Sequence, residues 1–202
     1  MIARSSSQLF ILLTGALTIA VACGSDTATL AGYERSPEPS VGHVSLPAVN
    51  RDNADFALKA KPGHLMVVFF GYTSCPDICP TTLADTRLAF AELGDRAQDV
   101  NLAMISIDPV RDTPPVLSDY VEAFIDGSIA LRTEDRDALA LAADAFGVTY
   151  SVVANDEGEI EVSHTPNLFV IDDQGSMVLT WPFGVQPTDI SSDLNLLLDR
   201  RP

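Results

Sequence analysis

The chain has 202 residues, enough for one domain of ordinary size with a terminal tail and a core that folds without disulfide bonds. Its 47% hydrophobic and 20% charged residues are typical of a globular protein, and 13 prolines without a Gly-X-Y repeat exclude a collagen-like fibre. Acidic residues outnumber Lys and Arg by 28 to 12, and the net charge of −16 argues against binding to nucleic acid.

The N-terminal residues have the pattern of an export signal. Arg4 precedes an apolar run from Leu9 to Ala22, which is shorter than the roughly twenty residues that span a membrane. We therefore predict a signal peptide over residues 1–22 and an exported protein. Residues 20–24 resemble the lipobox of bacterial lipoproteins, which implies that Cys23 carries a lipid. Ordinary cleavage near Ala22 is the alternative.

The segment after the signal differs in composition from the rest of the chain. Residues 23–40 are rich in Ser, Thr, Pro, Glu and Gly and have almost no apolar periodicity. This composition predicts a flexible tether that holds the domain off a membrane. The folded domain is predicted over residues 41–202.

The first strong element of the domain is a central strand. Leu65–Phe70 is an unbroken apolar run that ends at Gly71, as expected of a strand buried on both faces. After a loop that contains two cysteines, a helix is predicted as far as Leu93, with Gly94 ending it. Val100–Ile107 is the next predicted strand. This order is that of a βαβ unit.

The second half of the domain alternates in the same way. Thr113 and Pro114 begin a helix whose apolar side chains recur at helical spacing, and a third helix follows before Gly147. Two predicted hairpins and a closing helix capped by Thr188 complete the chain. The hairpin strands are residues 148–153 with 160–162, and residues 168–171 with 177–181. The whole describes an α/β sandwich.

The chemically reactive residues concentrate at Cys75 and Cys79, between the central strand and its helix. If Cys79 lies in the first turn of that helix, the two sulfurs face the same way. A helix N-terminus favours thiolate over thiol, so two thiolates of low pKa are expected. Such a pair suits Cu(I) or reversible disulfide formation, and a plain stabilising disulfide is the alternative. If Cys23 is lipidated, these two are the remaining cysteines.

Three motifs resemble those of the Sco/SenC family, in order and in spacing. They are Gly71-Tyr-Thr-Ser-Cys-Pro-Asp-Ile-Cys-Pro80, Asp108-Pro-Val-Arg-Asp-Thr-Pro114, and His164-Thr165 ahead of the strand that begins at Leu168. Members of that family are thioredoxin-like, membrane-tethered copper chaperones for the binuclear copper centre of cytochrome c oxidase. The resemblance therefore implies a thioredoxin-like α/β/α sandwich with a central mixed sheet.

The resemblance also implies a role for each matched residue. Cys75, Cys79 and His164 correspond to the three copper ligands of the family, for Cu(I), Cu(II) or both. The implied partners are the copper-bearing subunit of cytochrome c oxidase and a further copper chaperone or thiol reductant. The implied location is the outer face of the cytoplasmic membrane or the periplasm, with the lipid on Cys23 as the anchor.

Residues of the second motif are expected to support the site rather than bind metal. We expect Arg111 to pair with a carboxylate, Asp108 or Asp112, and so to lock the loop. Asp77, between the cysteines, tunes the thiols, helps to dock a partner or begins the helix. Outside the motifs, His43 is expected to be an exposed histidine rather than a ligand.

Copper delivery is the leading functional hypothesis, and the alternative is a thiol–disulfide oxidoreductase that reduces the cysteines of the oxidase copper site. Thr165-Pro166 stands where thioredoxins carry a cis-proline beside the active cysteines, and a cis bond here would favour a thiol–disulfide oxidoreductase. Dedicated reductases use C-x-x-C, however, whereas this chain has C-x-x-x-C. A peroxidase is the weakest hypothesis, since the Pro-x-x-x-Thr-x-x-Cys pattern of peroxiredoxins is missing around Cys75.

Overall fold

The computed structural model of the protein describes residues 29–200, so the predicted signal peptide and Cys23 lie outside the described residues. The first half contains strands β1 (Ser45–Ala48), β2 (Ala54–Ala57) and β3 (Leu65–Gly71), helix α1 (Ile78–Leu93), a 3-10 helix (Gly94–Asp99), β4 (Val100–Ser106) and α2 (Pro114–Phe124). The second half contains β5 (Ile129–Leu131), α3 (Arg136–Phe146), β6 (Tyr150–Ala154), β7 (Ile160–His164), β8 (Leu168–Ile171), β9 (Met177–Trp181) and α4 (Pro187–Asp199).

Seven strands form one mixed sheet in the order β2-β1-β5-β4-β3-β8-β9. β3 is parallel to β4 and antiparallel to β8, so it lies inside the sheet, and all seven of its residues are buried. This arrangement confirms the prediction that an unbroken apolar run is a central strand. β6 and β7 form a separate two-stranded sheet.

The helices bury the apolar faces that their periodicity predicts. In α1, Leu83, Phe90 and Leu93 face the core on the same side as Cys79, and α1 packs against α4. Pro114 is the first residue of α2, as predicted. The cap predicted for the last helix is wrong, because α4 begins two residues earlier, with Gln186 as its N-cap and Pro187 as its first residue.

Part of the segment predicted to be a flexible tether is hydrogen-bonded to the main sheet. Tyr33 exchanges two backbone hydrogen bonds of 3.0 Å with Thr180 of β9, and Met177 N–H donates to Pro39 O at 2.8 Å. Residues 31–41 therefore lie along the outer edge of the main sheet. Backbone bonding to a sheet edge needs no apolar side-chain period, so composition gives no sign of it.

The buried carboxylate of Asp193 in α4 holds the start of this segment. It accepts hydrogen bonds from the backbone N–H groups of Ala31 and Gly32, each at 2.9 Å, and from Trp181 Nε1 at 2.8 Å. The chain is thus attached to the domain ten residues before the predicted boundary at residue 41. Among residues 29–200, no helix is both long and apolar enough to cross a membrane.

Candidate metal and thiol site

The two cysteines of the first motif lie where the central strand passes into α1. β3 ends at Gly71, and Cys79 is the second residue of α1. A β carbon on Gly71 would lie 3.1 Å from Cys79 Sγ and 2.5 Å from the ring of Phe69. Glycine is therefore needed here, because it lets the buried thiol approach the end of the strand.

The two thiols differ in exposure and acidity. Both are free, but Cys75 is partly exposed and Cys79 is fully buried. Burial acts to raise the pKa of Cys75, but hydrogen bonds from the backbone N–H groups of Cys79 and Asp77 outweigh it, and the pKa is lowered. Burial raises the pKa of Cys79 far above that of an ordinary thiol. The expectation of two acidic thiols is therefore wrong for Cys79.

A backbone hydrogen bond fixes the relation between the two cysteines. The N–H of Cys79 donates to Cys75 Sγ, with 3.3 Å between nitrogen and sulfur. Asp77, between them, is the N-cap of α1, although its side chain makes no capping hydrogen bond. The partly exposed sulfur thus lies at the N-terminus of α1, where the free N–H groups of a helix stabilise negative charge.

His164 arrives from the last residue of β7 and faces the buried thiol. Its Nε2 atom lies 3.8 Å from Cys79 Sγ, and its Nδ1 atom lies 3.0 Å from the carbonyl oxygen of Thr165. That carbonyl can only accept, so Nδ1 carries the proton and the lone pair of Nε2 faces the sulfur. Burial lowers the pKa of His164, which favours the neutral imidazole that binds metals.

The separation of His164 Nε2 and Cys79 Sγ would fit one shared metal ion. With bonds of about 2.3 Å to sulfur and about 2.0 Å to nitrogen, atoms 3.8 Å apart subtend about 120° at the ion. Within residues 29–200, no three His, Cys, Asp or Glu side chains lie close enough together to form a complete metal site. Cys75 and Cys79 already interact through a side-chain hydrogen bond, so a three-ligand site requires Cys75 to approach His164.

A buried carboxylate from the second motif anchors the loop that carries Cys75. Asp112 is fully buried and accepts hydrogen bonds from the N–H of Thr73, from Thr73 Oγ1 at 2.6 Å and from Ser106 Oγ at 2.6 Å. It therefore joins the end of β4 to the loop between β3 and α1. Sequence reasoning assigned Asp112 a supporting role but did not identify these two partners, since hydroxyl residues carry no sign of a distant acceptor.

The Arg–carboxylate pair predicted for this motif forms between Arg111 and the buried Asp108, through Arg111 Nε. The guanidinium carbon of Arg111 lies 5.7 Å from the centre of the Tyr72 ring. The same ring packs edge-on against His164, with 6.2 Å between centroids. Tyr72 thus connects the second motif to the imidazole, a contact that the sequence did not reveal.

Two further sequence expectations can be compared with the structure. The hypothesis of a cis bond at Thr165-Pro166 is not supported, since within residues 29–200 the cis peptide bond is Ser36-Pro37. This bond therefore gives no support to an oxidoreductase. His43 is exposed, as expected.

Comparison with known proteins identifies the family. The SCO1/SenC family model matches residues 44–199. The chain belongs to the SCO1/SenC family. The resemblance of its three motifs is thereby confirmed across nearly the whole described domain.

Individual SCO1/SenC relatives differ in how much of the chain they match. A Stutzerimonas stutzeri protein provisionally named as copper-binding is 35% identical over 133 residues, and the match spans 65% of each protein. Protein SenC of Rhodobacter capsulatus is 25% identical over 178 residues, which is 88% of this chain and 76% of SenC. The chain spans 56% of the SCO2-like protein RP587 of Rickettsia prowazekii, at 36% identity.

Solved SCO1/SenC structures show the same architecture. Apo Sco1 of Thermus thermophilus is 29% identical, with a TM-score of 0.73 over 85% of this chain and 99% of that protein. ScoI of Bradyrhizobium japonicum with copper bound is also 29% identical, with a TM-score of 0.65 over 76% of this chain and 96% of ScoI. The predicted thioredoxin-like α/β sandwich with a mixed central sheet is therefore confirmed.

Proposed function

We propose that the protein is an extracytoplasmic copper chaperone that binds copper through Cys75, Cys79 and His164. Its cargo is delivered to the binuclear copper centre of cytochrome c oxidase. The observation that carries this proposal is the approach of His164 Nε2 to within 3.8 Å of Cys79 Sγ, beside a second free thiol. The copper bound to the related ScoI supports the choice of metal.

The donor set suits copper in both oxidation states. Two thiolates are soft ligands that prefer Cu(I), whereas an imidazole extends the range of the site to Cu(II). The bond from Nδ1 of His164 to Thr165 O orients the ring and increases its basicity as a ligand. Cys75 and His164 are both partly exposed, so a ligand of the client protein can reach the metal from their side.

The location and partners of the protein complete the proposal. Export by the signal over residues 1–22 and a lipid on Cys23 place it on the outer face of the cytoplasmic membrane or in the periplasm. The client is the copper-bearing subunit of cytochrome c oxidase. A second copper chaperone or a thiol reductant loads the site or keeps its cysteines reduced.

A copper titration tests the site. The full chain, with Cys23→Ser to remove the third thiol, is reduced under anaerobic conditions and titrated with Cu(I) and with Cu(II). We expect one equivalent of each to bind. Cys75→Ser abolishes tight binding, and His164→Ala weakens it at least tenfold. The matched control is His43→Ala, which removes an exposed histidine outside the site and leaves the affinity unchanged.

The same titration can contradict the proposal. If His164→Ala and His43→Ala bind both ions as tightly as the parent chain, the imidazole is not a ligand and the chaperone assignment fails. Truncation at residue 41 is not a suitable starting point for this experiment, because it removes the backbone bonds that Tyr33 and Pro39 make with the sheet edge.

A thiol–disulfide oxidoreductase is the second candidate, and the asymmetry of the thiols favours it. Cys75 is accessible and its pKa is lowered, as in an attacking cysteine, whereas Cys79 is buried and protonated, as in a resolving one. The Cys75 thiolate would attack a client disulfide, which releases one client thiolate and forms a mixed disulfide. Cys79 would then lose its proton and displace the second client thiol. The client disulfide is reduced to a dithiol, and Cys75–Cys79 is oxidised to a disulfide.

The two candidates respond differently to the same substitutions. If the protein reduces disulfides, Cys79→Ser accumulates a covalent adduct with a disulfide-bearing client, which mass spectrometry detects. Disulfide exchange then persists in His164→Ala. An adduct together with His164-independent copper binding would favour the oxidoreductase over the chaperone.

A further inference from the structure

The β6–β7 hairpin has an open backbone edge. Hydrogen bonds run from Thr165 N–H to Thr149 O at 2.9 Å and from Asn155 N–H to Glu159 O at 2.8 Å. In an antiparallel pair, the residues whose backbone groups bond to the partner strand alternate with residues whose backbone groups point away from it. Thr149 and Asn155 bond to the β7 side, so the N–H and C=O of Val152 point away from β7. No third strand within residues 29–200 pairs with β6. This edge can therefore accept a strand from another molecule.

A groove of about 1000 Å³ runs along β6, and its walls carry exposed apolar side chains. One wall is formed by β6 itself, and the other includes Val110 and Leu139. Val110 is 85% exposed and Val153 is 53% exposed, which is unusual for valines on neighbouring walls of one groove. Grouped apolar exposure of this kind is typical of a surface that a partner covers.

The groove is continuous with the site. A second recess, of about 300 Å³, is lined by Thr149, Ser163 and His164, and it shares Tyr150 and Ser151 with the groove. Tyr150 is also the residue of β6 that lies opposite His164 in the hairpin register. A strand laid along β6 would therefore have one end beside the recess that His164 lines.

The other end of β6 leads into a cluster of negative charge, the acidic tip. Its members are the exposed side chains Asp156, Glu157, Glu159 and Glu161. None of them takes part in an ion pair with any residue between 29 and 200. Four uncompensated carboxylates attract positive charge and repel an acidic segment.

We propose that the outer edge of β6 docks an extended segment of the client protein as an added strand. This rests on the proposed function, which supplies the client. Apolar side chains at alternate positions of the segment face Val110 and Val153, and Lys or Arg residues lie at the end farther from His164. Five residues paired with Tyr150–Ala154 extend about 13 Å, at about 3.3 Å per residue, and so place the basic residues beside the acidic tip.

Two sets of variants test the docking strand. Val152→Pro removes the outward N–H, and Val152→Ala is its control because it retains that group. The second set replaces the four carboxylates of the acidic tip by their amides. Its control replaces four exposed carboxylates on other elements by amides, namely Asp52, Asp55, Asp95 and Asp126. Circular dichroism and copper titration verify that each variant is folded and retains its metal site.

Association is measured by calorimetry between the full chain and the copper-free soluble domain of the oxidase's copper-bearing subunit. We expect Val152→Pro to weaken binding about tenfold, as for one lost backbone hydrogen bond, and Val152→Ala to change it less than threefold. The variant with amides at the acidic tip should also bind the client about tenfold more weakly, and its affinity should depend less on salt concentration. Its control should show neither change.

Two results would overturn the docking strand. If the client binds the parent chain and both test variants equally, docking occurs elsewhere, while copper delivery remains supported. If the client does not bind the parent chain at all, the docking strand is wrong for this client. The copper titration then decides the proposed function independently.

Discussion

The carboxylate of Asp112 offers the sharpest test of how the fold supports the site. Replacement by Ala leaves three donors without their acceptor, namely the N–H and hydroxyl of Thr73 and the hydroxyl of Ser106. A hydrogen bond to a carboxylate contributes about 1 kcal/mol or more, so Asp112→Ala should lower the free energy of unfolding by about 3 kcal/mol. That is a large part of the 5–15 kcal/mol typical of a domain.

The same substitution should loosen the metal site. Thr73 lies two residues before Cys75, and without its bonds to Asp112 the loop no longer holds that sulfur near Cys79. Urea unfolding of the reduced, metal-free chain measures the stability, and Cu(I) competition with a chelator measures the affinity. Asp112→Asn keeps one acceptor oxygen and should lose about half as much stability. The control is the exposed Asp126→Ala. A loss below 1 kcal/mol for Asp112→Ala, with unchanged Cu(I) affinity, would refute this account of the loop.

Three further outcomes follow from the site and its supports. Iodoacetamide should modify Cys75 at least tenfold faster than Cys79 in the folded chain, as measured by peptide mass spectrometry. The rate for Cys75 should reach half its maximum at a lower pH than for an ordinary thiol, because the lowered pKa of Cys75 keeps its thiolate present at lower pH. Equal rates for the two cysteines would contradict the difference in their acidity. Gly71→Ala should cost about 1–3 kcal/mol in urea unfolding, since the added methyl group meets Phe69 and the Cys79 thiol, and a neutral result would show that both can move. Asp193→Ala should free the segment that begins at residue 31, so that amide hydrogen exchange of residues 31–33 accelerates. The reactivity of the two thiols should not change. Unchanged exchange would show that the backbone bonds to the sheet edge hold the segment without the carboxylate.

The long and strongly patterned elements of the fold are predictable from the sequence. The apolar run of β3, the helix that Gly94 ends and the Thr113-Pro114 start of α2 all appear where their patterns place them. Each of these signals is local, because an apolar run, a helix end or a helix cap is defined by residues that are close together in the sequence. The short strands β1, β2 and β5 were missed, since three or four residues are too few to show a period.

Composition also gave no sign that residues 31–41 lie along the edge of the main sheet. These residues look like a tether, yet Tyr33 pairs with Thr180 and Asp193 accepts from Ala31 and Gly32. Backbone groups make these bonds, and every residue type except proline carries the same N–H donor. A sequence therefore does not distinguish such a segment from a solvated one.

The sequence by itself determined the family, the thiol pair and the histidine, because the three motifs are rare as a set and their order is preserved. Only the tertiary structure decided how these residues act together. His164 meets Cys79 across 85 positions, and Thr73 meets Asp112 across 39. The difference in pKa between the two cysteines also arises only in the folded structure. Burial and hydrogen bonding shift a pKa, and neither is a property of the residue type. The residue types determine that the site has two thiols and an imidazole, but the thiols differ in acidity because the packed core covers one sulfur and not the other.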